Sequence, residues 1–454
     1  MEKKTGWEIW NENEIKQVFE YAEGYKKFLS ENKTVRKFIK STIKEAEKYG
    51  FKNLNDFNSL KKGDRFYKIN KGREVIFGVI GEKKLIDGCK FIVSHIDCPR
   101  IDLKTNPLYE DENIALLKTY YYGGIKKYQW LTIPLAIHGI IFLKDGTYKE
   151  IEIGEKENEP VFTITDLLPH LAKEQIKRTI EEGFPGENLN IFVGTVPAKE
   201  KEKEKVKSNI LKILKDSYGI EEDDFISSEI EIVPAGKAKD CGLDKSLILG
   251  YGQDDRVCAY TSFTSFIKNL ESENTNFCLL VDQEEIGSRG ATSASSSFFE
   301  YFIQEVIEKA GYSISDIKKL FENSKAISAD VNTLLDPNFK DAYEPKNAAK
   351  IGCGVILTKI TGGKGKTGST EPTGEYIAYI RKIFDKNNVL WQTGEIGKLE
   401  LGGGSTVSSY FARYNIDTID CGTGVLSMHA PFELTSKADI YSTYQAYSVF
   451  YKEE

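Results

Sequence analysis

Only four of the 454 residues are histidine and seven are cysteine, and each scarcity excludes something. The cysteines, Cys89, Cys98, Cys241, Cys258, Cys278, Cys353 and Cys421, are odd in number, scattered and nowhere spaced C-x-x-C. That excludes a zinc ribbon and a disulfide framework and leaves reduced thiols of the kind that fill cores. Long apolar runs are missing too: the longest, residues 130–142, contains His138 and is too short to span a bilayer, and the opening Met-Glu-Lys-Lys-Thr-Gly-Trp-Glu has no apolar signal core. A cytoplasmic protein without membrane contact is expected. There is no dominant basic block either. The net charge is −7, which argues against a nucleic-acid partner, and residues 199–207 alternate Lys with Glu, the pattern of a solvated helix face or linker. No internal repeat is evident. What the chain does have is apolar material, 40% hydrophobic and 12% aromatic, enough for the cores of two or three domains.

Residues 8–48 carry helical spacing with abundant Glu and Lys and are expected to form one or two surface helices packed by Trp10, Phe19, Tyr21, Phe28 and Phe38. From Arg65 the alternation becomes that of strands, until Asp97-Cys98-Pro99-Arg100 breaks it. Residues 105–165 are rich in Tyr, Thr, Ile and Gly, with turns at Gly123-Gly124 and Asp145-Gly146. They read as an antiparallel β-rich module, to which charged helices over 166–220 are expected to belong. After Cys241 helix and short apolar strand alternate to the end, the signature of a doubly wound α/β domain. The expected fold class is therefore α/β: a doubly wound, mixed-sheet domain made from residues 1–100 and 241–454, interrupted by an inserted β-rich module at 101–240.

Five separated motifs place a possible metal ligand or its partner at a strand end or helix start. Asn276 to Val281 reads as a buried strand that opens into Asp282-Gln283-Glu284-Glu285 and a glycine-bearing turn. Ligands gather at the carboxyl ends of such strands, and neighbouring glutamates there can divide labour, one binding a cation and one moving a proton. In the extended segment ending Ser94-His95-Ile96-Asp97, residues two apart face the same way, so His95 and Asp97 point into one region. Asp254-Asp255-Arg256 lies at the start of a helical pattern, where N-capping alone explains one aspartate. Asp330 closes the apolar strand from Ala326, and His429 follows a strand and a glycine turn; upstream, the small residues of 402–406 allow close backbone approach to a ligand. Two of four histidines falling in such motifs, beside three carboxylate sites, is hard to attribute to chance. Two histidines, one shared aspartate, one glutamate and a further aspartate are the ligands of a dinuclear zinc site.

Taken in order, Ser94-His95-x-Asp97-x-Pro99, Asp254-Asp255-Arg256, Asp282-x-Glu284-Glu285-x-Gly287-Ser288, Ser328-x-Asp330 with Pro337-Asn338 behind it, and Leu426-Ser427-Met428-His429 resemble the aspartyl aminopeptidase and aminopeptidase I family of dinuclear zinc exopeptidases, over residues 10 to 450. The resemblance implies removal of N-terminal amino acids from peptides with free N-termini, by attack of a metal-bridging hydroxide. It implies two divalent ions per subunit, zinc first, with cobalt or manganese as alternatives. His95, Glu285, Asp330 and His429 would divide between the two ions and Asp254 would bridge them, with Glu284 as general base and Asp97 supporting His95. Family members build dodecamers from dimers through the inserted module, and Pro169-His170-Leu171-Ala172 resembles a motif whose histidine enters a neighbouring subunit's site. His138 is left structural. Some positions depart from the family pattern. Asn332-Thr333 and Asp336 replace an Ala-His pair and a further histidine, Cys98 replaces serine, and residues 362–367 differ where the side-chain pocket forms. An acid-binding pocket needs a buried cation, for which Lys346, Lys350, Lys364 and Lys366 are candidates. The rival readings are a deblocking aminopeptidase or deacylase on the same core, and a catalytically silent assembly protein.

Overall fold

The computed structural model describes residues 4–199, 203–404 and 406–453, so the middle of the Lys-Glu run at 199–207 and Ser405 of the glycine-rich loop lie outside the described residues. The N-terminal pattern resolves into the one-turn helix Gly6–Ile9 and two longer ones, α1 (Glu12–Glu31) and α2 (Val35–Lys48). Asn11 starts α1 by accepting from the Asn13 and Glu14 amides while Glu14 reaches back to the Asn11 amide, which satisfies donors the first turn leaves open. Their inner faces are fully buried, through Val18, Ala22, Tyr25 and Leu29 on α1 and Phe38 and Ile39 on α2.

Two compact units form, one from Met1–Cys98, Ala238–Met428 and Glu433–Glu454, the other from Pro99–Lys237 and His429–Phe432. At the heart of the first are four adjacent parallel strands, β1 (Cys89–His95), β2 (Thr275–Val281), β3 (Lys325–Ser328) and β4 (Asp417–Gly422), in the order β2-β1-β3-β4. Antiparallel or short edge strands extend them to a nine-stranded mixed sheet. Every residue of β1 and β2 is buried, as continuous apolar runs require when helices cover both faces. Alternate residues feed two cores. Ile92, Cys278 and Leu280 face a cluster with α1, α2, α3 (Gln253–Lys268) and the C-terminal helix. Phe91, Val93, Phe277 and Leu279 face another with helix Phe298–Lys309. Phe91 stacks on Phe277 across the β1–β2 pair at 5.0 Å. A small five-stranded sheet completes the unit; in it β5 (Glu433–Ser436) pairs antiparallel with Leu247–Gly250.

The second unit is an antiparallel six-stranded sheet. The helices expected over 166–220 are largely absent: residues 169–177 run as successive turns, and among the described residues of the span only Ile180–Gly183, the 3-10 turn Gly186–Asn188 and Lys205–Ile213, continued by a π turn, are helical. The reason is that Leu167, Leu168, Leu171 and Ile176 are all exposed, so no buried face rewards helix formation there. His138 is buried against Glu155, its Nε2 2.7 Å from the carboxylate. Among the described residues no helix is long and apolar enough to cross a membrane.

Glu74, on the strand next to β2, is 1% exposed. Burial above all, with the nearby Asp282 carboxylate, pushes its carboxyl up to about 8 against hydrogen bonds from Asn70 and Ser296. Between the ordinary value of 4.5 and that point the folded chain holds a proton the unfolded chain has lost. Stability therefore falls as pH rises through this window and levels off above it. Glu74→Gln is expected to flatten that slope, read from denaturant melts between about pH 5 and 8; parallel slopes for variant and parent would refute the assignment.

Candidate metal centre

The parallel register assembles the site. Val281 pairs with His95, and Ser328 pairs with Val93, so Asp330, two residues further along, comes level with His95. The three strand ends thus deliver an imidazole, an acidic pair and an aspartate to one edge of the sheet, where open α/β folds place their ligands. His95 is 1% exposed. Its Nε2 lies 3.2 Å from Oδ1 of Asp254 and 3.8 Å from Oδ1 of Asp330, and its Nδ1 lies 3.0 Å from the Asp97 carbonyl and 3.3 Å from the Asp97 carboxylate. A carboxylate behind the ring fixes which nitrogen faces forward.

Asp97 has a second task that sequence reasoning missed. Its two carboxylate oxygens accept the backbone amides of Glu284 and Glu285, at 3.1 and 3.2 Å. Those amides begin a tight turn entered through Gln283 at φ +64° and left through Gly287 at φ +90°. A Cβ at Gly290 would fall 1.5 Å from Oε1 of Gln283, so any other residue there would require the Gln283 side chain to move aside. The turn is tied down at its base as well. Buried Asp282 accepts from Arg73 Nε at 2.7 Å and from the Thr292 hydroxyl at 3.1 Å, while Asn70 donates to the Ala291 carbonyl.

Asp254 and Asp255 do not cap α3, contrary to the simpler expectation. Gly252 occupies the cap position without any side-chain hydrogen bond, and both aspartates have non-helical backbone angles. Freed from capping, Asp254 faces His95. Asp255 is fully buried and its carboxylate oxygens have no hydrogen-bond partner among the described residues, the Cys258 thiol being its near neighbour. It was legible in the sequence only as the neighbour of Asp254. The two groupings of possible ligand atoms are His95 with Asp254 and Glu285, and His95 with Asp255 and Asp330, each within 4.8 Å of one another. Both belong to the first unit. His429 and His170 belong to the second. His429 is half-buried at φ +65°, its Nδ1 2.9 Å from the Gly124 carbonyl, and His170 is exposed within the turns after Pro169. Lys346, Lys350, Lys364 and Lys366 are all exposed, and Lys366 pairs with Glu371, so none is the buried cation an acid-binding pocket was expected to need.

Burial pushes the carboxyls of Asp255 and Asp330 well above the usual range, and neighbouring carboxylates push in the same direction. Burial also works against a charged His95, but Asp254, Asp97 and Asp330 outweigh it and raise the imidazole well above its ordinary value. Crowded, desolvated acids around one ring form a site built for positive charge. The donor set of one nitrogen and several carboxylate oxygens suits a divalent metal of the zinc class.

Comparison with known proteins gives the same picture. The family described as aminopeptidase I zinc metalloprotease (M18) matches residues 28–451. A probable M18 family aminopeptidase 1 of Clostridium acetobutylicum is 47% identical over 455 residues, covering 99% of this chain and 98% of that protein. The crystal structure of an M18 family aminopeptidase from Thermotoga maritima superposes with a TM-score of 0.96 at 42% identity, covering all of both chains. The mApe1 dodecamer of S. cerevisiae, at 22% identity and a TM-score of 0.76, shares the fold; it covers 95% of this chain and 96% of that one.

Two outcomes follow for the centre. Asp97→Ala removes both acceptors of the Glu284–Glu285 turn and is expected to lower kcat or metal affinity by about 10–100-fold with unchanged circular dichroism, an activity assay and a metal titration deciding it. Metal must also displace the proton His95 holds, so zinc affinity measured by chelator competition is expected to weaken as pH falls from about 8 to 6; a pH-independent affinity would remove His95 from the ligand set.

Proposed function

Because the chain belongs to the aminopeptidase I zinc metalloprotease family, it is a metallo-aminopeptidase, and we propose that it removes single residues from the free N-termini of peptides with Glu284 as general base. The observation that carries this reading is the convergence of His95, Asp254, Glu285 and Asp330 on one sheet edge, with Glu284 held beside them on Asp97. In the proposal His95, Asp254, Glu285, Asp330 and His429 would hold two divalent ions, with zinc as the resident metal. When bound, such ions activate the attacking water and polarise the scissile carbonyl.

The rest is the work of the chain. Glu284 takes the proton of the attacking water and returns it to the leaving amine, a double role that needs its carboxylate fixed but within reach of both atoms. The Asp97 clamp and the Arg73–Asp282 pair supply that fixity from two sides. Asp97 also keeps the Nε2 edge of His95 turned toward the other carboxylates. His170 acts in a neighbouring subunit and steadies the developing oxyanion. Exposed Leu167, Leu168 and Leu171 around it support an interface in that segment, and the dodecamer of the yeast protein supports assembly into an oligomer of that kind.

Aminoacyl substrates with free and with blocked N-termini, assayed with zinc, cobalt or manganese and with chelator, test the reading. Metal-dependent cleavage confined to free N-termini is expected; cleavage of blocked substrates would favour a deacylase, and none at all an assembly protein. Glu284→Gln is expected to lose turnover almost completely while binding metal as the parent does. Substantial residual hydrolysis would defeat the general-base assignment.

A further inference from the structure

We infer that Glu433 is a positioning residue for Asp254, a role that rests on the metal-centre reading above. Buried backbone amides need acceptors, and where the chain bends ahead of a helix these come from a local side chain or from elsewhere in the fold. Here Gly252, held at φ +75°, has no side chain to offer, and Gln253 and Asp254 lie ahead of a kink, with non-helical backbone at Asp254 and Asp255, that separates them from the regular helix. Instead the small sheet sets Gly250 opposite Glu433, which brings a glutamate from far along the chain to the mouth of α3. Glu433 Oε2 accepts the Gln253 amide at 2.5 Å and the Asp254 amide at 3.1 Å.

The contact is returned. Gln253 donates through Nε2 to the Glu433 carbonyl at 2.6 Å and to the Ile248 carbonyl at 3.1 Å, and its Oε1 accepts the Tyr25 hydroxyl at 3.4 Å. Gln253, Asp254 and Glu433 are 0%, 4% and 1% exposed, so water does not compete for these bonds. A carboxylate that accepts two backbone amides makes charge-assisted bonds. This anchoring has a chemical consequence. Asp254 keeps a non-helical backbone, φ −81° and ψ 111°, with its amide tied backward to Glu433 and its carboxylate turned forward to His95. Glu433 thus fixes the backbone at Asp254, ahead of the kink, from the side opposite to the one on which its carboxylate meets His95.

The test uses metal-free full-length protein, with Zn2+ and Co2+ affinities from chelator competition at a temperature where circular dichroism shows every variant folded. E433A is expected to lose about 10–100-fold in metal affinity, with kcat reduced at saturating metal and KM little changed. E433Q retains an oxygen that accepts both amides and is expected to stay within about threefold of the parent. E433D keeps the charge but, one methylene shorter, falls out of reach, and is expected to behave as E433A; it decides the matter if E433A does not fold. Parental metal affinity in E433A or E433D would overturn the inference, as would E433Q as weak as E433A, since charge and not backbone anchoring would then be at work. A parent chain that binds no divalent ion would overturn the metal-centre reading itself, and this inference with it.

Discussion

Like charges forced together without water are the constraint around which this structure is organised. Two unit charges about 4 Å apart repel by about 4 kcal/mol at an effective dielectric of about 20, and the centre collects Asp254, Asp255, Glu285 and Asp330 around one imidazole. Left to themselves these side chains would turn outward or take up protons. Several of the segments that carry them are instead held through their backbone or at their root. Asp97 grips the backbone of Glu284 and Glu285, Glu433 grips the backbone of Asp254, and Arg73 neutralises Asp282 at the root of the acidic turn. At Asp254, Glu284 and Glu285 the restraint acts on the backbone amide.

The α/β class was readable because its signals are local. Continuous apolar runs such as Phe277 to Val281 and the helical spacing after Asp255 need no knowledge of their neighbours. The failures have an equally physical origin. Between 166 and 178 the composition suits a helix, but Leu167, Leu171 and Ile176 find no buried face, and propensity without burial does not hold a helix together. Capping was assigned to the nearest aspartate because sequence proximity is what a sequence displays; that Glu433 holds the amides of Gln253 and Asp254 depends on the pairing of β5 with Leu247–Gly250, a contact nothing in the local sequence announces.

The candidate centre was legible to a similar depth. His95, Asp97, Asp254, Glu284, Glu285 and Asp330 were named from strand ends and spacing, and the register of β1, β2 and β3 explains why they meet. The second role of Asp97 was not legible, because a side chain that holds a backbone leaves no mark on the residues it holds. Nor was the exposure of the four candidate lysines, since lysine looks the same in a sequence whether its stem lies in a pocket or in solvent.

The wide spacing of the centre along the chain sets the timetable of its birth. His95 is synthesised long before Glu285 and Asp330, with Pro99–Lys237 of the second unit between, and Glu433 follows later still. Closing such long loops is entropically slow, so β1 waits for β2 and β3 before any cluster of donors exists. A nascent chain on the ribosome therefore offers an arriving cation only isolated side chains. Metal capture becomes a late event that certifies a completed fold, and a truncated chain lacking its final strands would carry most of the donors yet lack the scaffold that aims them.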